Sequence, residues 1–430
     1  MKRAFVVSMS FLAACHQGAA VLGGADGAID GGTDGGMDGG QTDGGSSSTA
    51  PDPTCTENGC LRAAQLIGRY SKAVVSSFLE PGVTIDNGYD IYTIRFATDG
   101  RESLATVAVP YDEGLVVPAA GWDIVGNNHG TTGLGAPCAI SGTAQGAGLA
   151  GLFGARKAIG VAVDYPGLGT PGIHPYLVAR SEGTSALDGL RATKQLAASL
   201  NVAVSGRYAL VGLSQGGHAT FSAAALHATY APELDLRAFG ITAPGSVWEN
   251  QWAAGVQVNG PAIVLHAMMV YAWASYYGWP ADRPLWTSDF AKEVDADMTT
   301  LCLTATASST QTLFEKVSQD PAKVFDAAFL AEYKTLTWNK YAFVHTGFAE
   351  NGVKPFHQTA PIVLYQGDAD TIEPKADTDA VVEAMKAGGV QIDYRIVSGG
   401  THLNVAFGYL AYQELRTDES IAWIKARLAN

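Results

Sequence analysis

Gly212-Leu213-Ser214-Gln215-Gly216 is the stretch of this chain whose residue types and spacing point most directly to chemistry. It follows the apolar run Tyr208–Val211 and opens a helix-like run from Gly217 to Leu226. A serine on a sharp strand-to-helix turn projects its hydroxyl clear of a sheet, and flanking glycines leave room where a Cβ would meet neighbouring backbone. With 51 glycines in 430 residues, the five-residue pattern alone would arise by chance. The strand before it and the helix after it give it weight.

A serine hydroxyl is a poor nucleophile at neutral pH, so such a site needs a histidine to take the proton and a carboxylate to orient that histidine. In enzymes built on this turn the chain order is serine, then acid, then histidine. Pro361–Tyr365 is apolar enough for a buried parallel strand, and Gln366-Gly367-Asp368-Ala369-Asp370 follows as its loop. Gln391–Val397 alternates like another strand and runs into Ser398-Gly399-Gly400-Thr401-His402. Spacing leaves both Asp368 and Asp370 open as the acid; either could equally be a turn carboxylate or a helix cap. His402 is the histidine that follows a strand after the acid, unlike those at 16, 129, 174, 218, 227, 266, 345 and 357. His218 falls one helical turn past Ser214 and is expected beneath the turn.

The reaction also needs two backbone N–H groups where the carbonyl oxygen becomes negative. One is expected from Gln215, the residue after the nucleophile. The other is expected, by analogy with other His-Gly-x loops, from the Thr131 amide in the glycine-rich loop Asn127 to Gly133 that follows the apolar run Gly121–Val125. Phosphate binding by that loop is the lesser reading, because no phosphate-loop or dinucleotide fingerprint accompanies it.

At this point the residues resemble the secretory lipases, the family of the fungal lipase A type with its bacterial triacylglycerol lipase and esterase relatives. His129–Gly133, Cys138, Asp164–Gly169, His174–Leu177, Ser214, Gly367–Asp370 and His402 come in the family's order, over roughly residues 100 to 405. The resemblance implies an α/β-hydrolase fold, with a mostly parallel central sheet flanked by helices and an inserted, mainly helical cap. It implies Ser214 as nucleophile, His402 as base and Asp370 as orienting acid, since the family's acid falls three residues after the loop glycine. After Cys138 this chain reads Ala139-Ile140-Ser141 where the family commonly has proline after the alanine, which bears on the shape of that loop and leaves the chemistry alone.

Asp164-Tyr165-Pro166-Gly167-Leu168-Gly169 follows the buried-strand pattern Ile159–Val163 and reads as a structural turn, with a functional carboxylate as the lesser reading. Thr184 to Leu200 reads as a helix with Leu187, Leu190, Leu196 and Leu200 near one face. The stretch from Ser214 to Asp370 is far longer than a strand and a helix or two require, so a cap is expected over 246–351. Trp248, Trp252, Trp273, Trp279, Trp286 and Trp338, six of the chain's 8 tryptophans, fall there. They suit an apolar acyl pocket or the core of a helical subdomain. Pro261–Ala274 is very apolar but too short to cross a membrane, which takes about twenty residues; a buried cap helix or an interfacial lid fits it.

Residues 1–14 read as an export signal, and Leu12-Ala13-Ala14-Cys15 resembles a bacterial lipobox, which would leave Cys15 lipidated and, with His16 beside it, directed to the outer membrane or cell surface. A plain secretory signal ahead of a secreted or periplasmic protein is the rival reading. Residues 15–53 form a tether: Gly18 to Pro53 has no Lys, Arg or aromatic residue and cannot bury enough apolar surface to fold. A flexible coil of that length reaches on the order of 30–36 Å. Its Asp-Gly-Gly repeats lack the full calcium-binding nonapeptide. The core is assigned to 54–245 and 352–430. Setting Cys15 aside leaves Cys55, Cys60, Cys138 and Cys302, an even set that in an exported protein argues for two disulfides, with Cys55–Cys60 and Cys138–Cys302 the favoured pairing. Metal binding is not expected, nor is any cofactor. The net charge of −14, with 16% charged residues, disfavours nucleic acid and leaves neutral esters or lipids as the natural substrates of what is expected to be a monomer. A serine carboxylester hydrolase is the leading expectation; a serine peptidase, amidase or acyltransferase with the same triad, or a non-catalytic surface-binding module, is the alternative.

Overall fold

Runs of β-branched residues with no polar alternation fix the centre of this molecule. The computed structural model describes residues 50–79, 83–279, 284–405 and 417–429; Cys15, the signal and nearly all of the tether lie outside them. Nine strands form one sheet: β1 (Leu61–Tyr70), β2 (Gly88–Thr98), β3 (Arg101–Tyr111), β4 (Trp122–Asn128), β5 (Ile159–Val163), β6 (Val204–Leu213), β7 (Asp235–Thr242), β8 (Ile362–Gly367) and β9 (Ile392–Val397). Their spatial order is β1-β2-β3-β5-β4-β6-β7-β8-β9. The first three pair antiparallel, and everything from β5 to β9 is parallel. All five residues of β5 and all six of β8 are buried, as expected of strands covered on both faces.

The covering helices are α1 (Lys72–Ser77), α2 (Ala144–Gly154), α3 (Ala179–Ser199) and α4 (Gln215–Tyr230) in the first part of the chain. Between β7 and β8 come α5 (Glu249–Gly255), α6 (Ala262–Tyr277), α7 (Val294–Thr300), α8 (Leu313–Lys316), α9 (Pro321–Val324), α10 (Ala327–Thr335) and α11 (Ala342–Asn351). α12 (Lys375–Ala387) and α13 (Thr417–Leu428) follow. α3 buries Ala186, Leu187, Leu190 and Leu196 against the sheet. It starts at Ala179, a full turn before the expected Thr184, because Glu182 turns back to accept the Leu177 amide at 2.9 Å and secures the first turn.

The strands also run past the apolar stretches. Asn127 and Asn128, expected in a loop, belong to β4 and pair with Ala162 and Val163 on one side and with Val211 and Gly212 on the other. Their side chains stay buried because the Nδ2 groups donate to the Leu149 carbonyl (3.3 Å) and to Thr220 Oγ1 (2.9 Å). Gln366 and Gly367 extend β8 in the same way, paired with Ile396 and Val397.

The helices between β7 and β8 build an apolar core of their own. Trp273 is fully buried and meets Phe348 edge-on at 5.0 Å; Phe329 meets Tyr341 at 4.9 Å and Trp338 closes over it. Those tryptophans are core residues, consistent with the edge-to-face preference of packed rings. α6 buries Ile263, Val264, Met268, Met269 and Val270, so the apolar stretch is an interior helix. Among the described residues no helix is long and apolar enough to cross a membrane.

Among the described residues there are two disulfides, Cys55–Cys60 and Cys138–Cys302. The second closes a long loop, which in the chain-entropy account stabilises by about 2–5 kcal/mol. It also brings Leu303 N to donate to the Thr132 carbonyl at 2.8 Å and Cys302 to bridge Gly133. A strap from the helical segment therefore runs along the Gly130–Gly133 loop.

Candidate active site

The parallel strands end on one edge of the sheet, and the expected site residues all leave from that edge. Ser214 follows β6 with φ 58° and ψ −120°, a conformation that costs a non-glycine residue about 1–3 kcal/mol. The surroundings impose it. Ser214 N donates to the Thr242 carbonyl at the end of β7 (3.0 Å), and the Ser214 carbonyl accepts from His218 N (3.0 Å) and Gly245 N (3.2 Å). A Cβ on Gly212 would strike the Gly216 carbonyl, and one on Gly216 would strike the Asn128 carbonyl. The glycines that frame the pattern are thus required by close approach of backbone.

Asp370 leaves the loop after β8 and is nearly buried. Its Oδ1 accepts from the Ile372 and Glu373 amides, both at 2.9 Å. Its Oδ2 accepts from Gln366 Nε2 (3.3 Å) and meets His402 Nδ1 at 2.9 Å. With Nδ1 donating to the carboxylate, Nε2 of His402 is left as the basic nitrogen. Asp368 does a different job: exposed, it accepts the Gly399 amide at 2.7 Å and ties down the turn that precedes His402. Geometry therefore separates two aspartates that spacing left equivalent. The Ala369 amide donates to the Gly400 carbonyl (3.0 Å), and Gly367 lies against Gly400 so closely that a Cβ there would collide. The acid loop and the histidine loop are in this way one unit.

Gln215 is the first residue of α4, and the opening amides of a helix have no partner within it. Its side chain, which no local pattern singles out, is buried: Nε2 contacts His174 Nε2 (2.6 Å) and Glu182 Oε1 (2.7 Å). Thr131 lies in the loop after β4, its Oγ1 3.0 Å from the Tyr176 hydroxyl. His218 is fully buried beneath the turn, with Nδ1 2.6 Å from Glu182 Oε2 and Nε2 donating to the Asn351 carbonyl at 2.8 Å. Burial works to discharge His218, but the Glu182 carboxylate and the Asn351 carbonyl outweigh it and hold its pKa above the ordinary value. By contrast, burial lowers His129 to about 4 and His174 to about 3, so both are neutral imidazoles.

Asp164 proves to be a structural carboxylate. Fully buried, it accepts the Ile140 amide (2.7 Å) and the Ser141 amide (3.0 Å), shaping the turn after Cys138; burial pushes its pKa up to about 6. Glu373, half-buried on the acid loop with Oε1 near Gly245, is held well above the ordinary carboxylate range by burial and by the charges of Asp370 and Asp377. Pattern reading missed it, as it missed Glu182. Among the described residues no cluster of His, Cys, Asp and Glu could hold a metal ion.

Comparisons with known proteins agree with this architecture. No curated protein sequence matches the chain. Among solved structures, the rice cell wall degrading esterase LipA from Xanthomonas oryzae superposes with a TM-score of 0.71 at 18% identity, covering 87% of this chain and 99% of that one. A Legionella pneumophila protein named as a hydrolase gives 0.70 at 21% identity, covering 85% and 97%. Candida antarctica lipase A in its closed state gives 0.62 at 16% identity, covering 89% and 87%. These likenesses establish the α/β-hydrolase fold. The family model for secretory lipases matches residues 156–430, which takes in the Ser214 turn, the Gly367–Asp370 loop and His402. The chain belongs to the secretory lipase family.

Proposed function

We propose that this secretory lipase is a serine carboxylester hydrolase that works through Ser214, His402 and Asp370. The reading rests above all on one observation, the Asp370–His402 pairing at 2.9 Å on the same sheet edge as a serine held at φ 58°. In the first half-reaction Ser214 Oγ attacks the ester carbonyl while His402 Nε2 takes its proton; the imidazolium, steadied by Asp370, then gives that proton to the departing alcohol. Water repeats the sequence on the acyl-enzyme. The Gln215 and Thr131 amides are assigned to the oxyanion, where donors fixed in advance stabilise charge that appears in the transition state.

The segment 246–351 acts in this reading as a cap that governs entry of the acyl chain, between core segments 54–245 and 352–430. The two disulfides and the family point to an exported protein. Cys15 would carry the lipid anchor at the outer membrane or cell surface, with 15–53 as the tether, and the enzyme works as a monomer on neutral esters or lipids.

The test is a comparison of p-nitrophenyl esters from acetyl to palmitoyl with aminoacyl p-nitroanilides. Ester cleavage without measurable anilide cleavage is expected, and the best chain length reports the depth of the pocket. Preferential anilide cleavage would move the enzyme to the amidases; no turnover in either series would favour the non-catalytic binding module.

A further inference from the structure

Glu182 has no role in the mechanism above, yet it is a fully buried carboxylate in the first turn of α3. Taking such a charge out of water is costly unless it is paired and hydrogen-bonded. Here it is both. Oε1 accepts from the Leu177 amide (2.9 Å) and from Gln215 Nε2 (2.7 Å), and Oε2 is paired with His218 Nδ1 (2.6 Å).

The partners are what give this arrangement a function. The second hydrogen of the Gln215 amide group goes to His174 Nε2, an acceptor because its Nδ1 faces the Pro166 carbonyl at 3.3 Å. His174 stacks on Tyr165 at 5.2 Å, and the Tyr165 hydroxyl donates to the His129 carbonyl at 3.0 Å. Two residues on, the Tyr176 hydroxyl meets Thr131 Oγ1 at 3.0 Å. The short stretch His174–Leu177 thus touches both halves of the oxyanion site: Gln215 through His174, and the Thr131 loop through Tyr176. Glu182 holds that stretch at Leu177 and holds Gln215 directly.

We propose that Glu182 is a positioning residue that fixes both oxyanion donors at once, with Tyr176 carrying its hold to Thr131; this rests on the serine-hydrolase reading above. Donors of this kind act because they do not have to reorganise as charge develops, so slack in their frame lowers kcat while ground-state binding is left almost alone. The His218 proton completes the device. It balances the carboxylate, so that no lone negative charge sits behind the site where the oxyanion forms.

The test uses the full-length enzyme and p-nitrophenyl butyrate, with active sites counted by fluorophosphonate titration so that misfolded molecules do not enter kcat. Removal of one oxyanion donor costs on the order of 10²–10³ in kcat, so loosening both should cost about 100-fold for Glu182→Ala, with KM within about 2-fold. Glu182→Gln should recover to within about 10-fold of the parent enzyme, because the amide still accepts at Oε1 and can donate to a neutral His218. Tyr176→Phe, which removes one hydroxyl from a buried ring, should lower kcat about 10-fold and weaken a trifluoromethyl ketone by the same factor. Parent-level kcat per titrated site in Glu182→Ala and Tyr176→Phe, with only the melting temperature lowered, would overturn the proposal, as would a loss confined to KM. If Glu182→Ala does not fold, Tyr176→Phe decides. A parent enzyme that takes no label would instead remove the serine-hydrolase reading itself.

Discussion

Ser214→Ala is expected to lower kcat for p-nitrophenyl esters by on the order of 10⁶-fold, the scale seen when the nucleophile of an acyl-transfer triad is removed. Residual activity should not vanish entirely, since the oxyanion donors and the cleft still favour attack by water. The fold should survive, because an alanine Cβ makes the same demand on the backbone as the serine it replaces. Ser214→Gly separates the two costs. With φ at 58° and ψ at −120°, glycine relieves about 1–3 kcal/mol of strain, so that variant should be equally inactive yet melt a few degrees higher, at about 2–4 °C per kcal/mol. Calorimetry beside the ester assay measures both. Substantial activity in Ser214→Ala would exclude this serine as the nucleophile.

The second large effect is expected at the acid. Asp370→Asn keeps an oxygen for the Ile372 and Glu373 amides but turns an NH₂ group toward His402 Nδ1, which favours the imidazole tautomer with its proton on the wrong nitrogen. A change of this kind lowers kcat by about 10⁴-fold without moving the surrounding atoms. Asp368→Asn should cost less than about 10-fold, since Asp368 serves the Gly399 turn and does not touch the imidazole. The ratio of the two losses in kcat is the readout. Equal losses, or a larger one at Asp368, would reverse the assignment.

Much of the sheet edge was legible because its signals are local. A glycine–serine–glycine turn needs the strand and helix that flank it; Ile159–Val163 and Ile362–Tyr365 are apolar runs that a parallel sheet covers on both faces, while Ile392–Val397 alternates as an edge strand does. Order along the chain then supplied the acid loop and His402. Where the reading fell short, the deciding contact lay far away in sequence or depended on an atom rather than a residue type. Asn127 and Asn128 look like loop residues until β5 and β6 are set on either side of them. Asp368 and Asp370 are set apart only by burial and by what surrounds each carboxylate, the exposed Gly399 turn for one and His402 with the Ile372 and Glu373 amides for the other.

Glu182 was hidden for a similar reason. An acidic residue in the first turn of a helix is usually a solvated charge favoured by the helix dipole, and nothing nearby in the sequence marks this one as buried. Its partners Gln215 and His218 belong to the next helix and reach it only because α3 and α4 pack together. The place of His218 on the helix face shared with the nucleophile turn is the one local signal, since a buried imidazole there must find hydrogen-bond partners for its ring nitrogens. The tryptophans of 246–351 fit either a pocket or a core by composition; packing decides for Trp273 and Trp338, which face Phe348 and Phe329 inside the helical segment.

The convergence of serine, imidazole and carboxylate is tested most directly by fluorophosphonate labelling of the folded protein followed by peptide mapping, run in parallel on the parent enzyme and on His402→Ala. A single adduct at Ser214 is expected, formed at least about 10³-fold more slowly once the imidazole is gone. An adduct on any other residue, or labelling of Ser214 at the same rate without His402, would contradict that convergence.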